Sequence, residues 1–299
     1  MFGKSKTVLA LGGGGSRGLA HLGVVKVLER EGIQLDGIVG TSVGSILGAS
    51  YSVAPDIDAL IESTLDYLRS DRFMNDSFRR MMFGANDAEQ NFLQMAFASV
   101  RRSLRFASLI RRPSILPGEK LREVVEEFVG DYTFDDLKIP FAVPAIDVRV
   151  PREVLLTRGP LLDAVTASCS VPGFFPPVEM DDMLLADVGV ISSVPVEAAK
   201  KMIPGALVIA VDLSRDLPQV DKITRGWDNI MRCEAIAGRK LTELALQQAD
   251  VVLRPEVGEK FWSDFSGLEE IIRSGENEAE ARLPEIRDHL KGVLRFLKR

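Results

Sequence analysis

Three short stretches of this 299-residue sequence carry residue types and spacings that could do chemistry. The first is a run of glycines, Gly12-Gly13-Gly14-Gly15-Ser16-Arg17-Gly18, placed between an apolar run and a helical pattern. Glycine lets another group approach the main chain closely, so such a turn can present N–H groups to an anion. That anion could be a dinucleotide pyrophosphate, a nucleotide phosphate or the oxyanion of a reaction in progress. The turn alone leaves all three open. The second stretch is Gly40-Thr41-Ser42-Val43-Gly44, and the third is Asp187-Val188-Gly189 at the end of the apolar run MLLA.

The second stretch narrows the choice. Gly13–Gly18 matches the G-x-G-x-x-G of dinucleotide-binding folds, but that fingerprint also needs an acid at the far end of the second strand. Asp36 stands at the start of that strand instead. A nucleotide-binding P-loop would place Lys-Ser or Lys-Thr after the glycines, and neither is there. What occupies the far end of the strand is G-x-S-x-G, the pattern of a nucleophile elbow. An elbow puts a serine at a sharp strand-to-helix bend, with glycines on either side to relieve crowding. The competing reading is a small-residue turn that only permits close helix–strand packing.

A serine nucleophile needs a base. The chain has two histidines, His21 and His289. His21 follows the glycine turn directly, in a helix where local hydrogen bonding accounts for it equally. His289 lies among charged residues in a terminal amphipathic pattern. Only His289 satisfies the Ser, acid, His order of α/β-hydrolases, and its setting suits it poorly. A carboxylate remains, and Asp187 is expected to emerge from a strand terminus, where catalytic groups collect in parallel sheets. An ordinary aspartate pKa near 3.9 makes a poor base for a hydroxyl, so the role requires burial. Alone, Asp187 reads equally as a loop or capping residue.

These groups must be positioned by an alternation of strand-like and helix-period segments, which predicts a mainly parallel sheet with helices on both faces. Strands are expected at Thr7–Leu11, Leu35–Gly40, Phe141–Val148, Glu153–Thr157, Met183–Asp187, Ala206–Leu213 and Val251–Pro255. A helix is expected over Arg17–Glu31 and another after Ser42. Residues 71–118 differ in character, with eight arginines against four acids in a chain of net charge −6. There Leu93, Phe97, Val100, Leu104 and Ala107 form a narrow apolar stripe, flanked by Arg101, Arg102 and Arg105. This predicts a helical cap inserted in a single domain over 1–299, whose core spans about 5–70 and 119–255. A helical segment at about 265–299 docks Leu283, Ile286, Leu290, Val293 and Leu297 on the domain. The acidic balance argues against nucleic acid, and no run reaches the length of a membrane span. Cys169 and Cys233 show no metal-ligand spacing and fit a reduced, cytoplasmic setting.

With these residues assembled, the sequence resembles the patatin-like phospholipases, in particular the bacterial branch related to the neuropathy target esterase catalytic domain. GGGGSRGLAHLGVVKVLEREGI, GTSVGSILGA, ASCSVPGFFPPV and ADVGV…VPVE stand in the order of that family, covering roughly residues 5–55 and 138–255. The resemblance implies a three-layer α/β/α patatin-like fold with a helical cap. It implies Ser42 as nucleophile, Asp187 as its sole catalytic partner, and an oxyanion hole from Gly13, Gly14 and Gly15. Ser16, Arg17, Gly18, Gly40, Gly44 and Gly189 support the motifs, and Arg17 is a candidate for orienting the turn. It further implies hydrolysis of a lipid or fatty-acyl ester through an acyl-enzyme, with no cofactor and no calcium. Phe174 and Phe175 could wall an acyl chain or simply fill the core. The basic cap would suit contact with the inner face of a membrane.

The sequence departs from the family at Val188, where relatives carry glycine, and at Ser192-Ser193, where many carry asparagine. A β-branched residue at 188 would be strained if the turn required positive φ. That motivates an alternative, a patatin-like binding or regulatory module with weak or no turnover. A peptidase using the same elbow and a dinucleotide-dependent oxidoreductase are further rivals.

Overall fold

A computed structural model describes residues 6–74, 112–214, 216–258 and 264–296. The charged-apolar stripe of the expected cap falls within 75–111 and so lies outside the described residues.

Four parallel strands form the heart of the sheet: β1 (Thr7–Leu11), β2 (Gly37–Gly40), β7 (Leu207–Val211) and β8 (Val251–Leu253), in the order β2-β1-β7-β8. β3 (Phe141–Asp147) adds a fifth parallel strand beside β2. Beyond it the sheet changes direction. β4 (Arg152–Leu156) and β6 (Met183–Ala186) both run antiparallel to β3, and β5 (Val178–Met180) runs antiparallel to β6. The sheet is thus mixed, and β5 was not foreseen: it is three residues long and follows two prolines.

Side-chain alternation along the central strands builds the layers. Leu9, Leu11, Ile209 and Val211 enter one apolar cluster, whereas Val8, Ala10, Val208 and Ala210 enter another on the opposite face. The first cluster is covered by α1 (Ala20–Arg30), α2 (Val43–Val53), α3 (Ile57–Arg69), α5 (Gly118–Val129), α6 (Leu161–Cys169) and α9 (Leu268–Phe296). A short α4 (Asp71–Met74) follows α3. The second cluster is covered by α7 (Val196–Met202) and by Leu246, at the end of α8 (Gly226–Leu246). Helices on both faces give the three-layer α/β/α arrangement of a patatin-like fold.

The expected Arg17–Glu31 helix is two pieces, a 3-10 turn over Gly15–Leu19 and then α1. The terminal helix α9 lies along α1, with Ile286 fully buried and Leu283 and Leu290 half-buried against the core. The two helices approach so closely that a side chain on Gly23 would run into the Ile272 carbonyl, and one on Gly275 into that of Ala20. Lys26–Glu276 and Arg30–Glu280 ion pairs at 3.0 and 2.9 Å flank this contact.

Register places the chemistry-bearing turns together. β1 and β2 are adjacent and parallel with Leu11 opposite Gly40, so the glycine turn and the G-x-S-x-G bend leave the sheet side by side. Asp36, at the other end of β2, accepts a hydrogen bond from Thr7 N at 2.9 Å and closes the start of β1. It is remote from any ligand at the glycine turn, which removes the acid that a dinucleotide site requires.

The glycine contact between α1 and α9 gives a direct test of the packing. Gly23→Ala should lower the unfolding free energy by about 1–3 kcal/mol through overpacking. Gly226→Ala, where a side chain would meet nothing within 4 Å, should leave it unchanged. Denaturant titration of the two variants reads the difference, and equal midpoints would contradict the close packing.

Candidate active site

Ser42 occupies the bend between β2 and α2 with φ 53° and ψ −126°, one of two non-glycine residues with positive φ among those described. Such a conformation costs about 1–3 kcal/mol and persists only where surroundings impose it. The glycines of the motif show how. A side chain on Gly40 would strike the Gly44 carbonyl, and one on Gly44 would strike that of Leu11. The bend therefore closes only with glycine at both places. Ser42 N donates to Ser168 Oγ at 3.1 Å, and Ser168 Oγ in turn donates to Pro144 O on β3 at 3.1 Å. Ser45 Oγ donates to Ser42 O at 2.6 Å. Both peptide groups of the strained serine are thus anchored.

Asp187 reaches this point by a route that the strand pattern did not foretell. It does not leave the carboxyl end of a parallel strand. β6 enters antiparallel along the part of β3 that extends past β2: β2 pairs with Phe141 and Ala142, β6 with Ile146 and Asp147. The ends of β2 and β6 converge over Val143–Ala145, which brings Asp187 near enough for the Ser42 side chain to act on its carboxyl. Asp187 is buried, and burial pushes its pKa up to about 6, against the opposing pull of the Gly189 N–H and of Ser42. Gly189 N donates to Oδ1 at 2.7 Å. Val188 begins a 3-10 turn over Val188–Val190 with no positive φ, so valine fits there without strain.

The glycine turn lies against the elbow: a side chain on Gly13 would come 3.3 Å from Ser42 Cβ. Its N–H groups are not equivalent. Gly12 N donates to Val211 O at 3.1 Å and Gly13 N to Ser193 O at 2.8 Å. Among the described residues, no acceptor takes the N–H of Gly14 or Gly15. Gly13 is therefore a wall and tether of the turn, whereas Gly14 and Gly15 hold the available donors. Arg17 Nε donates to Gly14 O at 3.1 Å, which orients the Gly14–Gly15 peptide. Ser16 is buried in the 3-10 turn, and Gly18 faces Val43, where a side chain would overlap it.

The remaining titratable groups fall into place. His21 is buried, with Nε2 2.7 Å from Gly12 O, and burial lowers its pKa to about 4. It is committed to the backbone and is no base for Ser42. His289 lies on α9. Cys169, at the end of α6, lies 3.8 Å from Ser45 Oγ, and burial and then the Asp187 charge push its thiol pKa up. A thiol raised in this way is disfavoured as a thiolate nucleophile. Phe175 is buried in the core cluster and Phe174 is half-buried against it, which favours core packing for both. No group of three metal-ligating side chains occurs among the described residues.

Two contributions escaped the sequence reading, Ser168 and the Ser193 carbonyl. Ser168 lies within a motif that carried the family resemblance, but its partners are 126 and 24 residues away, so no local pattern marks its role. Ser193 also bonds outward, its N to Thr242 Oγ1 at 3.1 Å and its hydroxyl to Ser214 at 3.0 Å.

A three-layer mixed sheet with a strained serine beside a glycine turn defines the class, and comparison with known proteins agrees. The patatin-like phospholipase family matches residues 9–200. The chain belongs to that family. An uncharacterized NTE family protein of Mycobacterium tuberculosis (strain H37Rv) is 30% identical over 70% of this chain and 49% of its own length. Lysophospholipase NTE1 of Pyricularia oryzae is 27% identical over 94% of this chain but 18% of its own length. The chain thus spans about half, or far less, of the curated relatives it matches. The crystal structure of VipD from Legionella pneumophila superposes with a TM-score of 0.51 at 14% identity, covering 94% of this chain and 67% of that one, a likeness of fold.

Two stability measurements test the site geometry without reference to activity. A carboxyl whose folded pKa is raised adds stability below its unfolded value and loses it as pH rises through the folded value. Asp187→Asn should therefore raise Tm relative to wild type most above pH 6, with the gap shrinking as pH falls towards 3.8. A pH-independent gap would contradict the buried carboxylate. Ser42→Gly should be more stable than Ser42→Ala by about 1–3 kcal/mol, because only glycine relieves the positive φ. Equal stabilities would contradict the strained bend.

Proposed function

We propose that this chain hydrolyses carboxylic esters of lipids through an acyl-enzyme on Ser42, with Asp187 as the sole acid–base group. The observation that carries the reading is a buried Asp187, raised in pKa and acted on by the side chain of a serine at a strained strand-to-helix bend. A carboxylate with an ordinary pKa would hold the Ser42 proton weakly. Burial narrows the gap, because the neutral form of Asp187 is the one an apolar site favours.

In the first step the Ser42 hydroxyl proton passes to Asp187 as Oγ forms a bond to the ester carbonyl carbon. The carbonyl π pair moves to oxygen, and this oxyanion is received by the N–H groups of Gly14 and Gly15. Collapse of the intermediate breaks the bond to the alcohol, which takes the proton from Asp187 as it leaves. Water then repeats the sequence on the acyl-serine: its proton goes to Asp187, its oxygen bonds to the carbonyl carbon, and Ser42 leaves with the returned proton. Free acid and resting enzyme result. One oxyanion donor in such a site is worth about 2.7–4 kcal/mol of transition-state stabilisation. The α1 side supplies further support, since the 3-10 turn beginning at Gly15 points its N-terminal end at the same place.

The lipid part of the reading rests on family membership and on the lysophospholipase among the relatives, which suggests a lysophospholipid or phospholipid acyl ester. The ordinary backbone at Val188 removes the strain that motivated a silent module. No described helix is long and apolar enough to cross a membrane.

An alkyl fluorophosphonate should label wild type but neither Ser42→Ala nor, at a comparable rate, Asp187→Asn. Lysophosphatidylcholine should be cleaved and an isosteric amide left intact. The kcat/KM profile should fall about tenfold per pH unit below an apparent pKa near 6, as Asp187 takes up its proton. Labelling that survives Ser42→Ala would overturn the assignment.

A further inference from the structure

We propose that His21 is a positioning residue for ester hydrolysis, fixing the glycine turn so that Gly14 and Gly15 present their N–H groups to the oxyanion. The inference rests on the function proposed above, and its test separates the two. The problem it answers is conformational. Gly12–Gly15 are four consecutive glycines, the residue with the greatest backbone freedom, yet an oxyanion hole works only when its donors are fixed beforehand. Something outside the turn must remove that freedom.

The hydrogen bonds identify what does. In a trans peptide the C=O and the following N–H point opposite ways, so tying both locks the plane. The Gly12–Gly13 peptide is tied at both ends, its carbonyl to His21 Nε2 at 2.7 Å and its N–H to Ser193 O at 2.8 Å. This is the plane immediately before the segment with available donors. His21 is the only side chain among the described residues in that clamp, and it projects from the first turn of α1, which packs against α9 and α3.

The surroundings of His21 also select its tautomer. Nδ1 has no partner among the described residues, and the ring borders a small cavity lined by Leu11, Leu22, Val25, Ile38, Leu47 and other apolar groups. A proton on Nδ1 would find no acceptor there, and it would turn the Nε2 lone pair against the Gly12 carbonyl. The neutral ring with hydrogen on Nε2 satisfies both constraints, and Nε2–H donates to Gly12 O. A residue needed only to fill volume would not need that donor.

The test compares His21→Gln, His21→Asn and His21→Leu with wild type, using p-nitrophenyl butyrate, after Ser42→Ala has defined the background. Glutamine can place an amide N–H near the position of Nε2, asparagine places it near Nδ1, and leucine has none. We expect kcat to fall about 10- to 100-fold in His21→Leu and His21→Asn, with KM within about twofold of wild type. His21→Gln should recover most of kcat. Circular dichroism and thermal unfolding confirm that each variant is folded at the assay temperature. Wild-type kcat in folded His21→Leu would overturn the proposal. If His21→Leu does not fold, the Gln–Asn pair decides, and equal kcat for those two would overturn it. Loss of the Ser42-dependent signal in wild type itself would instead overturn the hydrolase reading.

Discussion

Ser42 adopts φ 53°, a conformation that costs the fold about 1–3 kcal/mol, and much of the surrounding sequence is arranged to hold it there. Glycines 40 and 44 are required because the bend brings their backbones against the carbonyls of Gly44 and Leu11. Ser168 anchors the Ser42 N–H from α6, and Ser45 anchors its carbonyl from α2. The strained backbone sits where the glycine turn comes closest, with a side chain on Gly13 falling 3.3 Å from Ser42 Cβ.

The same economy applies to the electrostatics. Two buried titratable groups act on each other here, Cys169 and Asp187, and the Ser42 side chain acts on both. Burial acts on both titratable groups in the direction of neutrality. For Asp187 this raises the carboxyl pKa, and for Cys169 it suppresses the thiolate, reinforced by the neighbouring carboxyl. One physical cause thus raises the carboxyl pKa and suppresses the neighbouring thiolate. The histidine closest to the glycine turn is kept neutral by the same burial and is bound to backbone.

Much of this was legible in the sequence, for identifiable reasons. Gly40–Gly44 and Gly12–Gly18 are local motifs whose meaning depends on a strand before and a helix after, and hydrophobic patterning supplies both. Asp187 was legible as a residue, since it ends an apolar run, but its approach was not. Strand polarity is set by pairing partners, and nothing in MLLAD distinguishes a parallel strand from the antiparallel β6 that the structure contains. The division of labour within the glycine turn was hidden for a similar reason. Gly13 differs from Gly14 and Gly15 only because Ser193, 180 residues away, takes its N–H. Val188 looked discordant beside a family glycine, yet the turn after Asp187 is 3-10 with no positive φ, and no strain arises.

The account comes down to three groups meeting at one point: the Ser42 hydroxyl, the Asp187 carboxyl and the two available glycine N–H groups. A crystal structure of the fluorophosphonate-inhibited protein tests this most directly. It should show phosphorus bonded to Ser42 Oγ, with one phosphonyl oxygen about 2.7–3.1 Å from the N atoms of Gly14 and Gly15. A phosphonyl oxygen directed away from the turn, or an adduct on any other side chain, would contradict it.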